Sequence, residues 1–367
     1  MGSLCGDTMS EDLPFISVVM PIRNEAFYIS RTLAQVVDQN YPRDKFEILV
    51  VDGMSEDNTR SIVGKWQSKY AQIRLLENGK RLSASGRNVG FKCGKGEIFV
   101  VVDGHCYIPS EQMLRDIARC LLTSGTDCLG RPQPLDPPDI TDFQKAVAFA
   151  RASRIGHARD SLIHSDYEGY ASPRSNGAIY DKKVFEKVGY VDESFDACED
   201  VEFNYRVEKA GLKSYTSPAV TVKYYPRETL GALFKQMKRY GSGRYRLLDK
   251  HPETISFSGL IPALFVSGYG VLLLLSLVGD YFLYTFCLAY TIYFLTILAY
   301  SLHISFKHGF RYLLYLIPIY LVIHFGLGWG FLQTLLRNMF QIKKFDKIKT
   351  YLAKKLDWLS IRNARFR

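Results

Sequence analysis

Three runs near the C-terminus constrain the whole chain: residues 257–279, 281–306 and 312–336 contain no Asp, Glu, Lys or Arg. Each matches the ~20 apolar residues that a helix needs to cross a bilayer. Buried helices of soluble proteins rarely stay this apolar for so long. A membrane region is therefore expected over 257–336, leaving the polar residues 14–250 to form one large domain after a tail at 1–13. The first two runs are joined tightly at Gly279-Asp280, and Pro318, Gly326, Gly328 and Gly330 interrupt the third.

Charge divides the chain in the same way. From Arg337 to Arg367 ten Lys or Arg stand against Asp346 and Asp357, a net +8, while residues 251–336 balance and residues 1–250 carry only +2. A near-neutral body with a basic tail is not the footprint of a nucleic-acid domain. It fits a segment facing anionic lipid. Over 337–367 a helix would set Phe345, Ile348, Leu352, Leu356 and Leu359 on one side with lysines between, the pattern of a helix lying on a membrane. Seven cysteines without close paired spacing suggest neither a disulfide frame nor a zinc module. The N-terminus, with Asp7, Glu11 and Asp12, lacks the apolar core of a signal peptide, so the large domain is expected in the cytoplasm. Three full crossings would then put the basic tail outside, against the usual placement of positive charge. We expect three embedded segments with the tail on the cytoplasmic side.

Within the polar part, short aliphatic runs alternate with helical patterns. Phe15 to Pro21 and Phe46 to Val51 read as buried strands, with a helix from Phe27 to Val37 between them. Helices at Thr59 to Tyr70 and Ser83 to Cys93 bracket a strand at Ile73 to Leu76. This is the β-α-β alternation of a parallel α/β sheet. At its centre Glu97-Ile98-Phe99-Val100-Val101-Val102-Asp103-Gly104-His105 reads as a strand buried on both faces. It carries Asp103 and His105 to the carboxyl edge, where ligands of such sheets bind. A carboxylate and an imidazole flanking a Gly could share a divalent cation, although an ordinary strand-end turn would read the same. The loop Asp52 to Thr59 offers acceptors suited to a uracil imide and ribose hydroxyls. Asp52 fits that role, whereas Ser55 and Asp57 are better read as capping the next helix.

Beyond the central strand, Leu129 to Pro134 continues the sheet, residues 142–158 form a helix, and Tyr167 to Ser175 has no period and suits an irregular acceptor wall. A short strand at Ser175 to Tyr180 and a helix at Lys183 to Val188 follow. Glu199 and Asp200 open a helix running to Ala210, where the helix dipole keeps a carboxylate ionised. Such a group could be a general base or a simple cap. From Leu230, Leu233, Phe234 and Met237 recur at helical spacing among Lys235, Lys238, Arg239, Arg244 and Arg246, as in a membrane-surface helix.

Pro21-Ile22-Arg23-Asn24-Glu25, Val51 to Thr59, Gly86-Arg87-Asn88-Val89-Gly90 and Asp103-Gly104-His105 together resemble family 2 of the nucleotide-sugar glycosyltransferases, over roughly residues 14–250. The chain looks most like the succinoglycan-type exopolysaccharide glucosyltransferases. The resemblance implies a GT-A fold, a Rossmann-like α/β domain, followed here by C-terminal transmembrane helices. It implies a UDP-sugar donor held by Pro21, Arg23, Glu25, Asp52, Arg87 and Asp103, with a metal on Asp103 and His105. It implies Asp200 as base beside Glu199, and acceptor contacts from Asn176 and Gly177. Gln236 to Tyr240 resembles a Gln-x-x-Arg-Trp element with Tyr for Trp, which implies acceptor contact by Gln236 and leaving-group neutralisation by Arg239. The family's usual third Asp is His105 here. Imidazole ligates Mn²⁺ better than Mg²⁺, so Mn²⁺-favoured activity is expected.

The reading is an inverting transfer of a hexose, glucose first, to a lipid-linked saccharide at the inner membrane, alongside other membrane proteins of glycan assembly. Two rivals stay open. One is a processive synthase, or transfer directly to a polyprenyl phosphate or ceramide; the other is a nucleotide-binding membrane scaffold without activity. A nucleotidyltransferase is disfavoured, because no Gly-rich, Lys-containing phosphate loop follows the first strand.

Overall fold

The aliphatic runs become strands because β-branched side chains fill a sheet that helices cover on both faces. The computed structural model describes residues 13–157, 161–254 and 257–364, with side chains of 257–258 and 341–364 outside the description. The expected N-terminal tail, up to residue 12, and the apolar side expected on the basic tail therefore lie outside the described residues. Strands β1 (Ile16–Ile22), β2 (Phe46–Asp52), β3 (Ile73–Glu77) and β4 (Ile98–Val101) alternate with helices α1 (Ile29–Val37), α2 (Thr59–Lys69) and α3 (Ser83–Cys93). They pair in parallel in the order β3-β2-β1-β4.

The sheet then turns mixed. After β5 (Cys106–Tyr107) come α4 (Met113–Ser124), β6 (Cys128–Gly130), α5 (Asp142–Ala152), β7 (Gly169–Ala171), α6 (Pro173–Asn176), β8 (Gly177–Asp181), α7 (Lys182–Val188), α8 (Glu199–Lys209), β9 (Ser214–Thr216) and β10 (Lys223–Tyr224). The completed eight-stranded order is β3-β2-β1-β4-β8-β6-β9-β7, with β8 antiparallel to both neighbours, and β5 pairs with β10 in a separate ribbon. Successive residues point to opposite faces. Val18, Ile48 and Val100 pack with Leu33, Leu114 and Ile117 on one side, while Val19, Leu49, Phe99 and Val101 pack with Phe91, Phe185 and Phe203 on the other.

Some expectations need correction. The central strand stops at Val101, which leaves Asp103 and His105 in the loop beyond it. Residues 167–175, expected to be irregular, contain β7 and begin α6. Helix α4 was not foreseen, although its buried Met113, Leu114, Ile117, Ala118 and Leu121 recur at helical spacing.

The C-terminal part holds α9 (Leu230–Lys250), α10 (Phe257–Leu275), α11 (Asp280–His308) and α12 (Leu313–Ala364). Among the described residues two stretches are long and apolar enough to cross a membrane, Asp280–His308 and Phe310–Phe340, and the helix of the first run is shorter, Gly259–Leu275. The third run is not broken. Helix α12 continues for 52 residues through Pro318.

Contacts divide the chain into two units, one ending at Leu233 but including Thr291–Ile323, the other formed by Phe234–Tyr290 and residues from His324 onward. In the first, α5 receives the turn between α11 and α12. Phe149 stacks on His308 with ring centres 4.1 Å apart, Asp142 pairs with Arg311 at 3.5 Å, and Tyr320 Oη meets Ser153 Oγ at 2.9 Å. In the second, the interrupting residues are contact points. A methyl on Gly326 would lie 2.8 Å from Met237 Cβ, one on Gly328 would strike the Pro262 carbonyl, and one on Gly330 the Lys238 carbonyl. These glycines let α12 meet α9 and α10 backbone to backbone, which is why they do not act as breaks.

Candidate active site

The site is built from loops at the carboxyl edge of β1, β2 and β4, together with the start of α8. Gly104 is small for a reason: a Cβ there would lie 2.8 Å from Glu25 Cγ. The gap admits Glu25, whose Oε1 lies 2.7 Å from His105 Nδ1. With Nδ1 carrying the proton towards Glu25, Nε2 keeps its lone pair for another partner. Burial opposes charge on His105, but the bond to Glu25 and the charges of Glu25 and Asp103 outweigh it, with Arg227 opposing, so the imidazole pKa lies above its usual value.

The loop carrying Glu25 is held by side chains from the loop after β2. Ser55 Oγ accepts from the Asn24 amide at 2.8 Å, Thr59 Oγ1 from Glu25 at 2.8 Å, and Asp57 Oδ2 from Ala26 at 3.2 Å. Asn24 takes a left-handed conformation, φ 55°, and accepts from the Glu56 amide. Asp57 also takes the Thr59 amide at the start of α2. Burial raises its carboxyl pKa, yet bonds from Thr59 and Ala26 hold it below the usual carboxylate range. Asp52 is fully buried, and its oxygens accept from the Ser55 amide, Ser55 Oγ and Arg60 Nη1, the last at 3.1 Å. A base reaching Asp52 would share oxygens that already brace the loop. Pro21 lies within β1, and Arg23, nearer solvent, pairs with Glu56 at 3.5 Å.

Helix α3 carries Arg87. Its Nη2 lies 3.5 Å from Glu199 Oε1, both side chains being largely buried. Burial works against this charge, but Glu199, Asp200 and Asp103 together hold the guanidinium firmly protonated. One cation therefore feels the carboxylate of the β4 loop and both carboxylates at the head of α8. Asn88, next to Arg87, fixes the segment leading to α8 by donating to Val191 O and Glu193 Oε1, each at 2.8 Å. Arg206 on α8 donates to Tyr190 O at 2.7 Å and pairs with buried Glu202 at 3.0 Å. Cys198, just before Glu199, is held at φ 63°, a strained conformation for a residue with a side chain. Burial raises the Glu199 pKa, Arg87 opposes and Asp200 adds to it, leaving the carboxyl above its usual value. Asp200 stays partly open to solvent at the positive end of α8.

Of the remaining predicted residues, Asn176 ends α6 and Gly177 begins β8. Asn176 is buried, its Oδ1 accepting from Thr216 and its Nδ2 without a hydrogen-bond partner among the described residues, while the Gly177 carbonyl accepts from Asn204 and Tyr180. Gln236 and Arg239 lie on α9 in the other unit, where Gln236 Nε2 donates to Tyr240 Oη at 3.3 Å.

Sequence reasoning gave no role to Arg131, Tyr28 or Tyr224. Arg131 is 1% exposed and donates to Tyr224 Oη at 3.3 Å, with no hydrogen-bond partner for Nε and Nη1 among the described residues. Tyr224 stands edge-on to His105 at 6.1 Å, and Tyr28 lies 6.4 Å from the same ring. The signals available were an arginine at the end of an apolar strand and the dense Tyr224-Tyr225-Pro226-Arg227-Glu228 run. Among the described residues no group of three or more His, Cys, Asp or Glu could by itself hold a metal. Asp103 and His105 could hold one only with further donors from a ligand.

A family model described as glycosyl transferase family 2 matches residues 17–189, and another described as glycosyl transferase family group 2 matches residues 109–333. The succinoglycan biosynthesis protein ExoA of Rhizobium meliloti is 28% identical over 247 residues, covering 67% of this chain and 73% of its own length. The dolichyl N-acetyl-alpha-D-glucosaminyl phosphate 3-beta-D-2,3-diacetamido-2,3-dideoxy-beta-D-glucuronosyltransferase of Methanococcus voltae is 27% identical over 243 residues, covering 64% and 74%. A solved mannosyltransferase from Pyrobaculum calidifontis, in complex with GDP-Man and Mn²⁺, superposes with a TM-score of 0.57 at 19% identity. It covers 84% of this chain and 87% of that one, a likeness of fold.

Proposed function

The chain belongs to glycosyl transferase family 2 and is a glycosyltransferase with a GT-A fold, and from there we propose that it moves a hexose, glucose first among candidates, from a UDP-sugar to a lipid-linked saccharide. The relatives favour such an acceptor, since one is named for succinoglycan biosynthesis and another for a dolichyl sugar phosphate. The apolar helices would keep the enzyme beside an acceptor that cannot leave the cytoplasmic membrane, which raises their effective concentration.

The observation that carries this reading is the largely buried Arg87, whose Nη2 lies 3.5 Å from Glu199 Oε1 at the head of α8, next to Asp200. In the proposed reaction Asp200 takes the acceptor hydroxyl's proton as that oxygen attacks the anomeric carbon from the face opposite the diphosphate. The bond from carbon to diphosphate oxygen breaks, and the configuration inverts. Arg87, paired with Glu199 at 3.5 Å, supplies positive charge at the head of α8 beside the base. A divalent cation on Asp103 and His105 Nε2 would supply countercharge for the leaving diphosphate, and the Glu25 bond to Nδ1 suits His105 to that task. Imidazole in the donor set favours Mn²⁺ over Mg²⁺. Asp200→Asn tests the assignment. Transfer should fall about 10²–10⁴-fold with UDP affinity nearly intact, and unchanged transfer removes Asp200 from the role.

A further inference from the structure

Given the nucleotide-sugar transfer proposed above, on which this rests, we infer that Arg227 is a further catalytic residue, the cation that grips the leaving diphosphate beside His105. The ligand it recognises is a nucleoside diphosphate, through its phosphate oxygens.

The backbone brings Arg227 to the site from both sides. Upstream, β10 pairs antiparallel with β5 and sets Tyr224 opposite Cys106, the residue after His105. The Tyr224 amide donates to Pro134 O at 3.0 Å, and its ring stands 6.1 Å from the His105 ring. Downstream, Tyr28 Oη donates to Glu228 Oε1 at 3.0 Å, and the Tyr28 ring lies 6.4 Å from His105. Between these ties Gln144 Nε2 donates to Pro226 O at 2.9 Å, and Tyr225 packs on Tyr28 with ring centres 4.9 Å apart. Arg227 thus has a fixed residue on either side, and the rings of Tyr224 and Tyr28 that hold the segment both border His105. Its charge reaches the imidazole, where it opposes protonation. Arg227 and His105 belong to one unit, whereas Arg239, for which the resemblance implies this task, belongs to the other.

What sets Arg227 apart is the lack of a counter-ion. Around it and along the ligand edge Arg23 pairs with Glu56, Arg31 with Asp139, Arg60 with Asp52, Arg87 with Glu199 and Lys223 with Asp136. Arg227 is half-buried, and its side chain forms no ion pair or hydrogen bond among the described residues. The neighbouring Glu228 takes the Tyr28 hydroxyl, and Glu25 takes His105. Withdrawing a cation from water costs free energy that a bound anion offsets, and a guanidinium fork matches two phosphate oxygens at once.

The charge change in the reaction suits this placement. When the bond between the anomeric carbon and the diphosphate oxygen breaks, its electron pair stays on that oxygen, and the diphosphate gains one negative charge. Arg227 keeps its protons and donates N–H bonds to the phosphate oxygens. A fixed cation there holds the departing diphosphate more tightly than the sugar nucleotide, and that difference lowers the barrier.

Binding of UDP by calorimetry and of uridine by ligand-observed NMR, to the full-length chain in detergent with Mn²⁺, tests the assignment. Arg227→Met should weaken UDP binding about 10–100-fold and leave uridine binding unchanged, and its transfer activity should fall in kcat more than in KM for the sugar nucleotide. Arg227→Lys should fall between, because an ammonium keeps the charge without the fork. Unchanged UDP affinity and kcat in Arg227→Met overturn the assignment, as does an equal loss for uridine, which a displaced loop would give. If Arg227→Met does not fold, Arg227→Lys decides: a loss confined to UDP supports the role, and no loss, or one shared with uridine, overturns it. Failure of the unaltered chain to bind UDP overturns the UDP reading instead. Inorganic pyrophosphate with Mn²⁺ is then the probe, and equal binding by Arg227→Met and the unaltered chain overturns the role of Arg227 as well.

Discussion

Replacing Arg87 with Met keeps the bulk of the side chain and removes the cation that three carboxylates share. Arg87 and Glu199 are 14% and 9% exposed and 3.5 Å apart. At that separation an effective dielectric of about 20 gives an attraction of roughly 4–5 kcal/mol, and stripping one partner from a buried pair costs about 3–5 kcal/mol. The loss has a ceiling, because Glu199 can take up a proton. Its carboxyl already lies above its usual value through burial, with Asp200 adding and Arg87 opposing, so removing Arg87 raises it further. A carboxyl whose native pKa exceeds its unfolded one keeps its proton in the native state when the unfolded chain has lost it. Stability then falls as pH rises from the unfolded value to the native one, by up to about 1.4 kcal/mol per unit. Below that window the penalty largely vanishes. Thermal unfolding of purified protein in detergent, followed by near-UV circular dichroism from pH 4.5 to 8.5, reads the effect. At about 2–4 °C per kcal/mol for a domain of this size, Arg87→Met should lower Tm by about 6–20 °C at the alkaline end and much less at the acid end. Adding Glu199→Gln should recover at least half of the loss. A pH-independent loss, or no recovery in the double variant, would refute the view that Arg87 neutralises Glu199.

Three other substitutions probe the loops and the seating of the C-terminal helices. Gly104→Ala pushes Glu25 away from His105, so Mn²⁺-supported UDP binding should weaken about 10–100-fold with little change in Tm, and Glu25→Gln should fall the same way in a Mn²⁺ titration by calorimetry. Phe149→Ala removes the ring that stacks on His308 and meets Tyr312 edge-on. It should cost about 3–5 kcal/mol if the site cannot collapse, and limited proteolysis should then cut faster near residues 308–312.

What the sequence made legible follows from how local each cause is. The β-branched run before Asp103 and the Asp-Gly-His in the loop after it lie within nine residues, so both the strand and its place at the ligand edge could be read directly, though not its end at Val101. Glu25 was legible as part of a donor motif but not as the partner of His105, because the two are eighty residues apart and only the fold closes one over the other at Gly104. Glu199-Asp200 shows the same gap. At a helix start a cap and a base have one pattern, and what favours the base is a buried arginine on another helix, which no spacing within α8 encodes. The glycines of α12 misled for the complementary reason. Taken alone, Gly in a helix lowers its stability, so three of them with Pro318 read as interruptions. Against α9 and α10 the same missing side chains allow backbones to touch, so these glycines mark a packing face of α12, and that face is visible only once the partner helices are in place.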